Sequence, residues 1–259
     1  MIKPFRVAFR LCRIGNLLLF AGLHFILLIW LAGKSSDLRA RARWLQHWCV
    51  NWLRIMNCRV TRRGAPPTRG VLASNHLSYM DVLAYGSVCP MVFLSKSEVR
   101  SWPVVGVYTR IAGTLFIRRG SKEDVVRLGA DMVPVVNAGL LVALFLEGTS
   151  SDGQTVLPFR SSLLAPAAKH HWPATAAWIH YAMADGSVQE DVCYWRDMTF
   201  LPHILKLLSR KGLEAVVSFD EPLTEKLDRK AMAAELHARV CRLKDEYLLE
   251  VKDAGVPGR

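Results

Sequence analysis

The sequence predicts an α/β protein: a mostly parallel central sheet flanked by helices and preceded by an N-terminal, membrane-associated helical hairpin. Three observations carry this. From Val71 onward, short apolar runs bounded by turn residues alternate with longer helical patterns, as strand–helix–strand units do. One run, Leu140 to Leu146, is apolar throughout, which marks a strand buried on both faces. Ahead of these, Ile14 to Gly33 runs for twenty residues without a formal charge.

That first run holds only Asn16 and His24 as polar interruptions, and as a helix it reaches about 30 Å, the thickness of a bilayer core. Lys3, Arg6, Arg10 and Arg13 precede it, and Lys34, Arg39, Arg41 and Arg43 follow. Equal positive charge on both flanks gives no orientation bias and suits a segment whose two ends stay on the cytoplasmic side. Between Leu38 and Asn57, Trp44, Trp48 and Trp52 recur every fourth residue and so share one helix face. Tryptophan favours a bilayer edge, where the ring is apolar and its N–H stays wet. Residues 1–57 therefore read as a hairpin dipped into or lying on one leaflet. A single membrane span and a pair of core helices are the competing readings. No Ala-x-Ala-like site follows the run to suggest a cleaved signal peptide.

Arg59 to Gly70, with Pro66-Pro67, reads as a polar linker into a second unit, residues 58–259. There, strands are predicted at Val71–Ser74, Met91–Ser95, Thr114–Ile117, Leu140–Leu146, Ala174–His180 and Leu213–Phe219. Ser121 to Gly139 reads as a helix: Ser121-x-x-Asp124 supplies a capping box, Gly139 the stop, and Pro134 predicts a kink. Leu223 to Val251 reads mostly as an amphipathic helix, and Ala254 to Arg259 as a frayed end.

Composition narrows the partners. With 34 Lys+Arg against 22 Asp+Glu, the net charge of +12 draws the chain toward acidic surfaces: anionic lipid, an acidic carrier protein or nucleic acid. No zinc-finger spacing, RNA-binding signature or basic heptad helix is present, which argues against nucleic acid. The six cysteines are scattered without a Cys-x-x-Cys pair, a pattern of a reducing compartment.

The densest chemistry is Asn75-His76-Leu77-Ser78-Tyr79-Met80-Asp81, directly after a predicted strand. A neutral imidazole can take a proton from a hydroxyl, and a carboxylate on its other nitrogen fixes the tautomer and stabilises the imidazolium. The spacing works if Ser78 caps a helix with Asp81 at its third position, so that Asp81 reaches back to His76 on the loop. A buried His–Asp pair that merely fixes a loop is the bland alternative. Further on, Phe145-Leu146-Glu147-Gly148-Thr149-Ser150 leaves the most buried strand at its C-terminal end, where open α/β sheets bind ligands.

These two segments, with Gly113-Thr114-Leu115-Phe116-Ile117-Arg118-Arg119 between them, resemble in order the sequence boxes of the glycerolipid acyltransferase family, which includes lysophosphatidate acyltransferases. Trp172 to Ala176 matches the family's proline-centred fourth box more loosely. The resemblance spans residues 70–180 and implies the family's fold, with residues 58–259 as its catalytic domain. It implies a lysolipid O-acyltransferase that moves a fatty acyl chain from acyl carrier protein or acyl-CoA to a lysolipid hydroxyl. His76 is then the base and Asp81 its orienting partner, with backbone N–H groups near the first box holding the oxyanion. Asn75, Arg119, Glu147, Gly148, Thr149 and Ser150 shape the acceptor site. Neither a metal nor a cofactor beyond the acyl thioester is implied. The place of work is the cytoplasmic face of the inner membrane.

Two departures matter. Leu146 stands where the family has proline, and Ser150 where it has arginine. In members that act on lysophosphatidate, that arginine is associated with the acceptor phosphate. Either Arg119 and Arg160 compensate, or the acceptor head is not a phosphomonoester. The run Glu147 to Gly153, followed by Leu157 to Ser162, is similar to the lyso-ornithine lipid acyltransferase branch. A catalytically inactive lipid-binding or transfer protein on the same fold is the competing reading. His170, His171 and His180 lack the spacing of a metal site, and no Gly-x-Ser-x-Gly elbow supports a serine nucleophile.

Overall fold

The computed structural model describes residues 3–118 and 122–253. The predicted capping role of Ser121 and the frayed end therefore lie outside the described residues. The chain builds helix α1 (Pro4–His24), which runs on as a π-helical segment (Phe25–Trp30), then α2 (Leu38–Met56) and strand β1 (Cys58–Arg63). Next come β2 (Gly70–Ser74), α3 (Met80–Val88), β3 (Met91–Lys96), α4 (Val105–Ala112), β4 (Leu115–Ile117), α5 (Lys122–Asn137) and β5 (Leu141–Phe145). The remainder is α6 (Ala165–His170), β6 (Ala174–Ala182), α7 (Val188–Asp191), α8 (Phe200–Ser209), β7 (Leu213–Phe219) and α9 (Arg229–Asp253).

The described strands form one sheet in the order β1-β7-β6-β2-β5-β3-β4. Every neighbouring pair is parallel except β6 with β7. Strand β5 is apolar throughout because both its faces are covered. Leu141 and Ala143 enter the core beneath α2, α3 and α8, while Val142 and Leu144 enter the core beneath α5, α6 and α9. β2 lies between β5 and β6, with Ser74 beside both Phe145 and Ala177. The C-terminal ends of β2 and β5 thus emerge side by side.

Two expectations change, at β1 and at the tryptophan face of α2. Cys58 to Arg63 is the edge strand β1, within the stretch that reads as a linker. An edge strand with a solvated face carries arginines, so its apolar alternation shrinks to Cys58 and Val60. Pro134, the residue predicted to kink its helix, lies within α5, which runs past it to Asn137. The tryptophans of α2 do share a face, but it turns inward. Trp44 is buried, donates its Nε1–H to the Ala21 carbonyl (3.0 Å) and stacks on Tyr108. Trp48 donates to His24 Nδ1 at 3.2 Å.

The exposed apolar surface belongs instead to the first helix: Phe9, Phe20, Leu27, Leu28, Trp30 and Leu31 are more than half exposed. Pro4–Trp30 is long and apolar enough to cross a membrane by length and composition. Its inner face is pinned by Arg10, whose guanidinium donates to the carbonyls of Met56, Leu208, Arg210 and Lys211 at 2.6–3.0 Å. Those carbonyls are at or just beyond the C-terminal ends of α2 and α8, which carry partial negative charge and lack helical partners.

Candidate active site

His76 sits on the loop between β2 and α3, and Asp81 lies in the first turn of α3. The Asp81 Oδ2 atom accepts from His76 Nδ1 at 2.7 Å, from the Leu77 N–H at 2.7 Å and from the Ser78 N–H at 3.0 Å. One carboxylate oxygen therefore both caps the entry of α3 and holds the imidazole. Half of the predicted capping box is present. The helix starts at Met80, later than Ser78 at N-cap requires, and the buried Ser78 hydroxyl has no hydrogen-bond partner among the described residues.

Asp81 is fully buried, and its second oxygen accepts from the Tyr181 hydroxyl at 2.9 Å. Burial pushes the Tyr181 phenol well above its ordinary range, reinforced by Asp81, so this hydroxyl stays a donor. Tyr181 escaped the sequence reading because it lies one hundred residues from Asp81; only the pairing of β6 with β2 brings the two together.

The His76 ring stacks on Phe145, the last residue of β5, at 4.1 Å between centroids. Its main chain is held on both sides: the N–H donates to Glu147 Oε2 (3.1 Å), and the carbonyl accepts from the Ser151 N–H (2.9 Å). With Nδ1–H directed at Asp81, Nε2 is left as the basic nitrogen, on a side chain that is 22% exposed.

Glu147 is buried, and both its oxygens accept main-chain N–H groups, from His76 and from Leu157 (2.9 Å). It thus positions the base rather than facing an open site. Burial raises its carboxyl to about 7, opposed by the two backbone hydrogen bonds and assisted by Asp81. Gly148 has φ +73°, and a Cβ there would stand 2.7 Å from Arg160 Nε. The loop thus needs glycine and brings Arg160 against the box. Thr149 is exposed. The Ser150 hydroxyl donates to the Tyr194 carbonyl, tying this loop to the segment after α7. Leu146 is core.

The remaining predicted residues fall elsewhere. The Asn75 amide is satisfied at both ends by the Ile179 main chain, accepting at 2.9 Å and donating at 3.0 Å, so it joins β2 to β6 instead of lining an acceptor pocket. Arg119 lies outside the described residues. Its neighbour Arg118 forks onto Asp124. Pro173 of the fourth box accepts the Val71 N–H through its carbonyl, at the opposite end of β2 from His76. Four N–H groups of the first box are occupied: those of His76, Leu77 and Ser78 bind Glu147 and Asp81, and that of Asp81 binds the Ser78 carbonyl. Among the described residues no three His, Cys, Asp or Glu side chains converge as metal ligands.

Known proteins resemble this chain in sequence and in fold. The family model described as Acyltransferase matches residues 57–180. The chain is 32% identical to the lyso-ornithine lipid O-acyltransferase of Brucella abortus over 193 residues, 69% of this chain and 72% of that one. It is 31% identical to the Rhizobium meliloti protein of the same description, over 82% and 75% of the two chains. The 1-acyl-sn-glycerol-3-phosphate acyltransferase of Neisseria gonorrhoeae is 31% identical over 61% and 62%. In fold, the chain superposes on the crystal structure of the 1-acyl-sn-glycerophosphate acyltransferase PlsC from Thermotoga maritima with a TM-score of 0.61. That match is 19% identical in sequence and covers 92% of this chain and 97% of that one.

Proposed function

The chain belongs to the acyltransferase family and is a lysolipid acyltransferase, and we propose that it works by general-base transfer from an acyl thioester to a lysolipid hydroxyl. The observation that carries the reading is the His76–Asp81 couple, sealed on the Asp81 side and open at His76 Nε2. Nε2 takes the hydroxyl proton while the oxygen attacks the thioester carbonyl. Asp81 stabilises the imidazolium. Collapse of the tetrahedral adduct breaks the C–S bond, and the imidazolium returns its proton to the departing thiolate. The donor is acyl carrier protein or acyl-CoA, and no cofactor beyond it is required.

We assign residues 1–57 to the membrane, on the cytoplasmic face, through the exposed apolar side of α1 and its basic flanks. Residues 58–259 form the catalytic domain. For the acceptor, a lyso-ornithine lipid is favoured over lysophosphatidate. Serine at position 150 supplies no charge for a phosphate, and its hydroxyl is engaged by Tyr194.

The test is incubation of the membrane-bound protein and its His76→Ala variant with labelled acyl carrier protein and acyl-CoA, offering lyso-ornithine lipid and lysophosphatidate in parallel. His76-dependent label in one lipid product supports the reading and names the head group. A His76→Ala protein as active as the parent overturns the base assignment. A parent that binds lipid without turnover returns the reading to an inactive lipid-binding protein.

A further inference from the structure

A cavity of about 360 Å³ lies against Leu77, the residue that follows the base. Asp152, Gly153 and Gln154 form one wall, and His180, Gln189 and Cys193 contribute to the others. The wall is coupled to the catalytic loop. Ser151, next to Asp152, donates its N–H to the His76 carbonyl, and Gly153 packs on the Leu77 side chain.

Asp152 carries the one formal charge in this lining. Its Oδ1 accepts from the Gln154 N–H at 3.1 Å and its Oδ2 from Gln189 Nε2 at 3.3 Å, both neutral donors. Among the described residues no lysine or arginine pairs with it. The surrounding cations are engaged elsewhere or lie outside the lining. Lys244 donates to the Gln154 carbonyl, Lys206 and Arg210 are held by Asp191, and Arg160 packs over Gly148. His180 is held toward its neutral form, chiefly by burial. In a chain of net charge +12, this half-buried carboxylate thus lines the cavity with only neutral donors beside it and can accept a cationic ligand.

We propose that Asp152 and this cavity receive the ammonium of a lysolipid whose polar head carries a primary amine, and that this contact, rather than a phosphate-binding arginine, sets acceptor choice. The inference rests on the lysolipid acyltransferase reading. An ammonium offers three N–H donors. Asp152 takes one as a charge-assisted hydrogen bond, and Gln189, whose nitrogen faces Asp152, leaves its amide oxygen as a second acceptor. An ornithine head, with an amine at the end of its side chain, has this chemistry. So does an ethanolamine head.

The test compares wild type with Asp152→Asn, which keeps the Oδ1 acceptor for the Gln154 N–H. Acceptors are lyso-ornithine lipid, the same lipid with its side-chain amine acetylated, lysophosphatidylethanolamine and lysophosphatidate. The expected result is a KM for lyso-ornithine lipid raised about tenfold or more with kcat within about twofold, while the acetylated lipid and lysophosphatidate behave alike with both proteins. Asp152-dependent use of lysophosphatidylethanolamine also supports the ammonium contact and shows that the amine alone suffices. An unchanged KM, or equal losses for free and acetylated lipid, overturns the inference. Direct calorimetric binding of free and acetylated lyso-ornithine lipid keeps the two readings separable. A protein that acylates nothing yet binds the free amine in an Asp152-dependent way sinks the enzymatic reading and leaves this one standing.

Discussion

Tyr181→Phe tests the catalytic couple at a residue that no sequence box contains. The substitution deletes one hydroxyl and leaves the ring in the core. In the wild type that hydroxyl donates to Asp81 Oδ1 at 2.9 Å, in a place where Asp81 has no exposure. A hydrogen bond to a charged group is worth about 1.5–3 kcal/mol, and removing the donor leaves Oδ1 buried and without a partner. At about 2–4 °C per kcal/mol for a chain of this size, the melting temperature should fall by about 3–12 °C. The lost contact also frees the carboxylate to rotate away from His76 Nδ1. A loss of about 1.4 kcal/mol in transition-state stabilisation is about tenfold in kcat, so initial acyl-transfer rates should show that drop at nearly constant KM. Tyr85→Phe is the matched control. It removes a similar buried hydroxyl, which bonds Ser74 Oγ at 2.6 Å and makes no hydrogen bond to Asp81, so it should cost stability with a much smaller change in kcat. Equal kcat losses in the two variants would refute the reasoning, because the effect would then be a general softening of the core.

Other outcomes follow from the same contacts. Asp81→Asn should lower kcat by roughly a thousandfold or more, since an amide cannot both orient Nδ1–H and stabilise the imidazolium; an activity assay at saturating acceptor measures it. Glu147 has a folded-state pKa of about 7 against an ordinary 4.5, so the folded chain holds a proton there that the unfolded chain releases. Stability from this group is therefore greatest below about pH 4.5 and declines as pH rises to about 7, by up to about 3 kcal/mol. Thermal melts of wild type against Glu147→Gln across that window should show the wild type losing ground as pH rises. Arg10→Met should cost about 3–5 kcal/mol, because four carbonyls lose a buried cationic donor. Hydrogen exchange should then show faster opening of residues 4–24.

Much of this architecture is legible in the sequence wherever the physics is local. β5 is readable because both its faces are packed, and the His76–Asp81 couple because five residues separate its members. β1 is not, because an arginine-rich edge strand loses the apolar alternation that marks a strand. The reversal of β7 against β6 leaves no trace in composition. In the site, what sequence misses depends on register. Tyr181 reaches Asp81, and Ile179 satisfies Asn75, only because β6 lies beside β2. Glu147 and Asn75 are found at the expected place but support the loop rather than face a ligand. The tryptophan stripe of α2 shows the opposite failure. Periodicity gives the shared face but cannot distinguish a protein interior from a bilayer edge, since both accept an indole ring with its N–H satisfied.

The Arg10 clasp has a mechanical consequence. By joining the first helix to the ends of α2 and α8, it ties the exposed apolar surface of α1 to helices that pack on the sheet carrying His76. With α1 on the membrane as proposed, the altitude of the imidazole above the lipid plane becomes a dimension set at folding, like the height of a bench above a floor. On that placement an acceptor would be selected partly by how far its hydroxyl must rise from its own leaflet to meet that height, a criterion that no single pocket residue encodes.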